Sequence, residues 1–288
     1  MNGRLKGNRI VDLIAYCKSS LASYGFSERE SLQLTRWLME DVVGKSYVDL
    51  YLNPENTVSE SEILSLHFKL KRVLSHEPIQ YVLGNAEFFG KSFEVTKSVL
   101  IPRPETEELV QHVLEYMERR VSGQLIDFGT GSGCIPVVLK DKRPKWQVTA
   151  IDISPDALAV AKSNAQRHQV EINFRHEDVL NLEHYHHDVD VIVSNPPYVL
   201  TQDKSEMHQR VLEHEPHLAL FVPNDDPCLF YRHIIEWAEE HLKEDGLLAF
   251  EVHERYASDV MELLSKSGFK ANVKKDFQDK DRFVFGTR

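Results

Sequence analysis

Cysteine is scarce in this chain. Cys17, Cys134 and Cys228 are the only three in 288 residues; they lie far apart and form no CxxC pair. That spacing offers no disulfide framework and no structural zinc site, and it suits a reducing compartment. Long apolar runs are also missing. None approaches the ~18–20 residues that crossing a bilayer requires, so no membrane association is expected. Behind the positive charges of Arg4 and Lys6 there is no apolar segment of the signal-peptide kind, so export is not expected and the cytoplasm is the expected location. Basic excess is absent: 34 Lys and Arg stand against 45 Asp and Glu, a formal net charge of -11. Residues 1–80 are neutral, with 10 of each sign, whereas residues 81–288 carry 24 basic and 35 acidic groups. A half this acidic is a poor partner for duplex nucleic acid, whose binding rests on neutralising phosphates. The balance favours a protein substrate with basic surface. Internal repeats and low-complexity linkers are missing too.

Against that background, Asn195-Pro196-Pro197-Tyr198 stands out, because it follows the apolar run Val189-Asp190-Val191-Ile192-Val193-Ser194. Proline neither continues a central strand nor donates to its ladder, so the chain must turn there. The carbonyls of Asn195 and Pro196 are then free to accept hydrogen bonds from outside the sheet, and the Asn195 side-chain oxygen adds a third acceptor. Such a cluster can grip a planar NH2 group. Read alone, the segment is equally a loop with two prolines. Its place relative to a second motif takes it further.

That motif is Asp127-Phe128-Gly129-Thr130-Gly131-Ser132-Gly133, between the apolar Gln124-Leu125-Ile126 and the helical pattern Cys134 to Leu139. Glycines at alternate positions allow a tight turn and close approach to a ligand. Cys134 occupies the place of the third glycine of a dinucleotide loop, and no Lys-Ser or Lys-Thr closes a Walker loop. Asp152 ends the next apolar run, Trp146 to Ile151, 19 residues beyond Gly133. An acid near that offset is placed to bind ribose hydroxyls, although it could also cap the following helix, a job Ser154 can do. Asp178 reads as the end of a third strand, Ile172 to Arg175. Four strands thus place a glycine turn, two acids and Asn-Pro-Pro-Tyr at their carboxyl ends, where open parallel sheets bind ligands.

The amino-terminal region reads as helices only. Ile10, Leu13, Ile14, Cys17 and Leu21 recur at helical spacing, and Ser27-Glu28-Arg29-Glu30 and Ser59-Glu60-Ser61-Glu62 are capping boxes. The pattern changes at Pro78-Ile79-Gln80. Ala86 to Val95 then reads as a hairpin turning near Gly90, followed by Leu100-Ile101-Pro102-Arg103-Pro104-Glu105-Thr106-Glu107 leading into a helix. The organisation expected is a helical domain over 1–80 that recognises the substrate, a β-hairpin linker over 81–100 and an α/β domain over 101–288. His184-Tyr185-His186-His187-Asp188 lacks a helical frame and a second ligand cluster, so no metal is expected. Glu239-Glu240 reads as a solvated helix face.

These segments together, from the helical region through Ile101 to Glu107, Asp127 to Gly133 and Asn195 to Tyr198, resemble the PrmC/HemK family over essentially the whole chain. His214-Glu215-Pro216, Leu247 to Glu251 and Asp281 to Val284 agree with it. The resemblance implies an all-α amino-terminal domain of five-helix type and a Rossmann-like, seven-stranded methyltransferase domain dependent on S-adenosylmethionine. It implies methylation of the glutamine side-chain nitrogen (N5) in the Gly-Gly-Gln loop of class I peptide chain release factors. Gly129, Thr130, Gly131, Ser132 and Gly133 would wrap the methionine end of the cofactor, Asp152 would hold its ribose, and Val179 would lie against the adenine. Position 179 is often aromatic in the family, so aliphatic packing would replace stacking here. Val252-His253 and Leu218 to Pro223 also depart from the family pattern, in peripheral loops.

Asn195 would touch both cofactor and substrate. An amide nitrogen is too weak an acid for an ordinary side-chain base, so Asn195 and Pro196 would accept its two protons and orient it, Tyr198 would pack on the flat amide, and Pro197 would fix the turn. The protein is expected to act as a monomer without direct nucleic-acid binding. Three other readings share some of these features: a nucleic-acid adenine-N6 methyltransferase, which would need a basic target-recognition region; a ribosomal-protein glutamine methyltransferase; and an inactive release-factor or ribosome-binding module.

Overall fold

The structure, a computed structural model, describes residues 5, 7–182 and 188–288. The histidine cluster at 184–187 lies outside the described residues. The chain divides into two compact units, Met1–Gly84 and Asn85–Arg288.

Five helices make up the first unit among its described residues: α1 (Ile10–Ser23), α2 (Glu28–Val43), α3 (Tyr47–Leu52), α4 (Glu60–Leu74) and α5 (Ile79–Leu83). Both capping boxes form, with Ser27 accepting from the Glu30 N–H and Ser59 from the Glu62 N–H while each Glu carboxylate bonds back. Gly44 and Gly84 end α2 and α5 in the left-handed region. The core of this unit joins Leu13, Cys17 and Leu21 of α1 to Leu34 and Leu38 of α2 and Leu66 and Leu70 of α4. Ile79 and Val82 belong to it as well, which is why the division falls at Gly84 rather than at the change of pattern near residue 80.

The second unit opens with a hairpin, β1 (Asn85–Phe88) and β2 (Lys91–Glu94), whose turn has positive φ at Phe89 and Gly90. Then follow α6 (Pro104–Met117), β3 (Gln124–Phe128), α7 (Cys134–Lys142), β4 (Gln147–Asp152), α8 (Pro155–Arg167), β5 (Asn173–His176), β6 (Val189–Ser194) and β7 (Val199–Leu200). The chain ends with α9 (Gln209–His214), β8 (Phe221–Val222), α10 (Leu229–His241), β9 (Leu242–Glu251), α11 (Ala257–Lys266), β10 (Lys270–Lys275) and β11 (Asp281–Thr287). The hairpin packs into this unit: Phe88 and Phe93 share a core with α6 and α7.

Seven strands form one sheet in the order β10-β11-β9-β6-β3-β4-β5, parallel from β9 to β5 and antiparallel at β11 and β10. Strand alternation sorts its side chains between two layers. Leu125, Val191, Val193, Ala249 and Phe283 face α6 and α7, whereas Ile126, Phe128, Ile192, Phe250 and Val284 face α10 and α11. From β3 the chain proceeds one way through β4 and β5, then crosses back to β6 on the other side. This reversal opens a crevice at the carboxyl ends of β3 and β6, the place where such sheets take ligands.

Gly133 shows how tightly this edge is built. It stands at φ 78 as the residue before α7, and a Cβ there would lie 3.0 Å from the Ala161 Cβ and 3.1 Å from its Cα. Gly133→Ala is therefore expected to destabilise the unit by about 1–3 kcal/mol through backbone strain and crowding of α7 on α8. Thermal unfolding would register this as a lower Tm, at about 2–4 °C per kcal/mol for a unit of this size; an unchanged Tm would contradict it.

Candidate active site

Register brings the two principal motifs together. Phe128 pairs with Ser194 across β3 and β6, so Gly129 and Asn195 leave the sheet side by side. The Ser194 hydroxyl donates to the Phe128 carbonyl at 2.7 Å and is wholly buried, which locks this junction. On the other flank, the N–H groups of Gly129 and Thr130 both donate to the Ile151 carbonyl of β4 at 2.9 Å. The glycine turn is thus fastened to the strand that delivers Asp152.

Asp152 completes the fastening. Its Oδ2 accepts the Gly131 N–H at 2.8 Å and its Oδ1 accepts the Ser154 N–H at 2.9 Å. Burial raises its carboxyl above the usual carboxylate range, while these two bonds pull the other way. Ser154, not Asp152, caps α8, accepting the Ala157 N–H at 3.2 Å. Gly129, Gly131 and Gly133 all have positive φ, and at Gly129 and Gly131 the space a Cβ would take is open. Conformation alone requires glycine at those two positions.

A cavity of about 350 Å³ lies above this edge. Its walls include the whole turn Gly129 to Ser132, Asp152, Val179 and the segment Asn195 to Pro197. Leu100, Pro102, Arg103 and Thr106 close one side, and Pro216 and Leu218 another. Gly133 and Tyr198 are not among the lining residues: Gly133 is the residue before α7, and the Tyr198 hydroxyl donates to Glu251. Val179 lines the wall with Leu180 and Ile153, an aliphatic surface. The reading of Asp178 as a strand end needs correction. β5 stops at His176, and Asp178 heads a single helical turn, accepting the Leu180 N–H at 2.9 Å. Glu177 donates its N–H to the Asp152 carbonyl, the last bond of the β4–β5 ladder.

Two buried acids face the α6 side of the sheet. Asp127 on β3 is wholly buried, and neither of its oxygens nor the Thr130 hydroxyl has a hydrogen-bond partner among the described residues. Burial pushes its carboxyl up to about 7, moderated by the nearby Thr130 hydroxyl. Glu251 ends β9 at 1% exposure. Its Oε2 accepts the Thr106 hydroxyl at 2.6 Å and its Oε1 the Tyr198 hydroxyl at 3.4 Å. Asn195 Nδ2 in turn donates to Thr106 Oγ1 at 3.1 Å. Burial also raises the Tyr198 phenol above its ordinary value.

Residues 12–84 match the model of the PrmC N-terminal domain, and residues 106–219 that of the methyltransferase small domain. A release factor glutamine methyltransferase of Flavobacterium psychrophilum is 40% identical over 264 residues, covering 90% of this chain and 92% of its own length. The chain belongs to the release factor glutamine methyltransferase family. A member from Bacteroides thetaiotaomicron is 38% identical over 283 residues, covering 98% of this chain and all of its own. Among solved structures, the hMettl16 catalytic domain in complex with the MAT2A 3'UTR hairpin 6 superposes with a TM-score of 0.53 at 15% identity, over 80% of this chain and 82% of that one. That likeness concerns the fold.

As in the methyltransferase fold of this family, the crevice is suited to S-adenosylmethionine. The glycine cradle leaves room for a bulky ligand, Asp152 presents a carboxylate in the cavity wall, and the Val179 side is apolar enough for a base. Three contacts of this family member escaped the sequence reading. Asn164, wholly buried on α8, donates to the carbonyls of Glu94 and Ser132 at 2.9 Å and accepts the Glu94 N–H at 2.7 Å, tying the hairpin to the glycine turn. A lone Asn on the apolar face of Ala157, Leu158, Ala161 and Ala165 was the available signal. Arg103 pairs with buried Glu215 at 2.6 Å, joining the proline box to His214-Glu215-Pro216. Thr106 and Glu251 lie within the segments Leu100 to Glu107 and Leu247 to Glu251, whose pattern gives them no role, although Glu251 carries the same strand-ending signal as Asp152.

Proposed function

We propose that the protein transfers a methyl group from S-adenosylmethionine to the side-chain nitrogen of the glutamine in the Gly-Gly-Gln motif of class I release factors. It would thereby support translation termination, acting in the cytoplasm as a monomer that reads protein rather than nucleic acid. The observation that carries this reading is the pairing of Phe128 with Ser194, which sets the Gly129 cradle and the acceptor cluster at Asn195 on one crevice, in a chain of this family. The relatives' names supply the release factor; the excess of acidic groups in residues 81–288 supports a protein substrate over nucleic acid. Among the described residues no helix is long and apolar enough to cross a membrane.

S-adenosylmethionine supplies an electrophilic methyl group on a positively charged sulfur. The chain's part is to hold and orient. Gly129 to Gly133 carry the backbone of the cradle, Asp152 accepts ribose hydroxyls, and Val179 packs on the base. The Asn195 side-chain oxygen and the Pro196 carbonyl accept the two protons of the glutamine amide and turn its nitrogen toward the cavity. As that nitrogen takes the methyl group and the neutral thioether S-adenosylhomocysteine leaves, the same two oxygens stabilise the positive nitrogen. Its surplus proton then passes to solvent, so no residue needs to remove a proton beforehand. Pro197 fixes the turn that aims these carbonyls, and Tyr198 braces the segment, its hydroxyl held by Glu251. Residues of the helical unit contribute to recognition of the release factor.

The test is direct. Incubation of the protein with S-adenosylmethionine and an unmodified release factor, followed by peptide mass mapping, should add one methyl group to the glutamine of Gly-Gly-Gln. No transfer despite cofactor binding in calorimetry would reject this substrate and move the search to ribosomal-protein glutamine and adenine acceptors. Absence of cofactor binding would favour a module without activity.

A further inference from the structure

The Asn195 carboxamide has two different ends, and the chemistry above needs the oxygen to face the cavity. Turned by half a revolution, it would present two N–H donors, which cannot accept protons from a substrate amide. What sets the turn is a chain of three groups, of which Thr106 and Glu251 are buried. Asn195 Nδ2 donates to Thr106 Oγ1 at 3.1 Å, and Thr106 Oγ1 donates to Glu251 Oε2 at 2.6 Å. A hydroxyl has one proton. Because that proton is taken by Glu251, Thr106 offers Asn195 only lone pairs, and only the NH2 end of the carboxamide can meet them. Thr106 is 3% exposed and Glu251 1% exposed, so water does not compete for these bonds. The other Glu251 oxygen accepts from Tyr198, so one carboxylate organises both polar members of Asn-Pro-Pro-Tyr.

We propose that Thr106 and Glu251 form a positioning relay that fixes the orientation of the Asn195 carboxamide and so aims its oxygen at the substrate amide. Both are positioning residues that act through Asn195, and the inference rests on the function proposed above. Several groups face Glu251. Arg282 comes from β11, itself paired with Asp276 at 3.2 Å; Glu105 comes from α6; Tyr198 donates to the carboxylate and Tyr231 of α10 to the Glu251 backbone carbonyl at 3.0 Å. Burial pushes the carboxyl up to about 7, with Thr106, Arg282 and Tyr198 holding it down and Glu105 adding to the rise. A protonated Glu251 would itself donate to Thr106 and release the threonine proton toward Asn195, so turnover should fall as pH drops through that value.

Thr106→Val keeps the β-branched shape and removes the hydroxyl; Thr106→Ser keeps the hydroxyl. Four readouts apply: kcat and KM on the release factor with saturating cofactor, the pH profile of kcat, calorimetric cofactor affinity, and hydrogen exchange of the Asn195 carboxamide protons by NMR, the signal assigned by its loss in Asn195→Asp. T106V is expected to lower kcat by about 10–100-fold with cofactor affinity within about twofold, because misorientation costs turnover rather than binding. Its carboxamide protons should exchange faster, its acid limb near neutral pH should vanish, and T106S should restore most of each. Wild-type kcat and exchange protection in T106V would overturn the relay, as would a T106S that fails as badly as T106V. If T106V does not fold, Thr106→Ala removes the same hydroxyl without added bulk and is read by the same criteria. If the wild-type protein leaves the release factor unmodified, the functional reading falls, and the exchange measurement still decides the relay.

Discussion

Asn195→Ala is expected to lower kcat by about 10²–10³-fold, the loss found when one fixed acceptor or donor is removed from a developing charge. Cofactor affinity should change little, since the Gly129–Ile151 and Gly131–Asp152 bonds that shape the cradle do not involve Asn195. The physical reason for a large effect is the weakness of the nucleophile. An amide nitrogen gives up its conjugation to the carbonyl as it attacks, and only oxygens already aimed at its protons repay that loss in the transition state. Alanine removes one of the two, while the Pro196 carbonyl stays. Thr106 would keep its bond to Glu251, so the framework should persist and the Tm should barely move. Single-turnover kinetics, with calorimetric binding of S-adenosylmethionine as the control, makes the measurement. Unchanged turnover would remove Asn195 from the chemistry.

Asp152→Ala should act on the other term. We expect its dissociation constant for S-adenosylmethionine to rise by about 10–100-fold, as loss of a charged hydrogen-bonding group costs roughly 1.5–3 kcal/mol. Two effects combine. The carboxylate holds the Gly131 N–H at 2.8 Å and the Ser154 N–H at 2.9 Å, so its loss loosens the turn that forms the cradle. The same oxygens lose their remaining lone pairs, which are the ribose acceptors. The Ser154 cap of α8 survives, and the fold should survive with it. S-adenosylhomocysteine shares the ribose and lacks the methyl group, so its affinity should fall by a similar factor. If both ligands bind Asp152→Ala as they bind the wild type, the ribose assignment fails.

Local rules explain what could be read without coordinates. Ser27 and Ser59 sit three residues before Glu30 and Glu62, a spacing that closes a capping box within one helical turn. Val189 to Ser194 is a buried central strand because it is apolar along nearly its whole length, and the prolines that follow can only end it. Gly129, Gly131 and Gly133 announced a tight turn, and all three take it up with positive φ. The helices α3 and α5 were missed because 6 and 5 residues are too few to show a 3.6-residue period. Asp178 was placed on a strand because apolar and polar residues alternate up to it, whereas the ladder ends two residues earlier.

By itself, then, the sequence determined the longer elements and their order, the crevice-side residues Gly129, Asp152 and Asn195, and the family. Each of these is written in contacts within a few residues or in the regular return of strand and helix. The tertiary structure alone decided how those residues are held. Thr106 meets Asn195 across 89 positions and Glu251 across 145, and Arg103 meets Glu215 across 112. No local pattern encodes a partner at such distance. A buried hydroxyl, carboxamide or carboxylate is satisfied only by what the packed layers bring against it, and packing is a property of the whole unit.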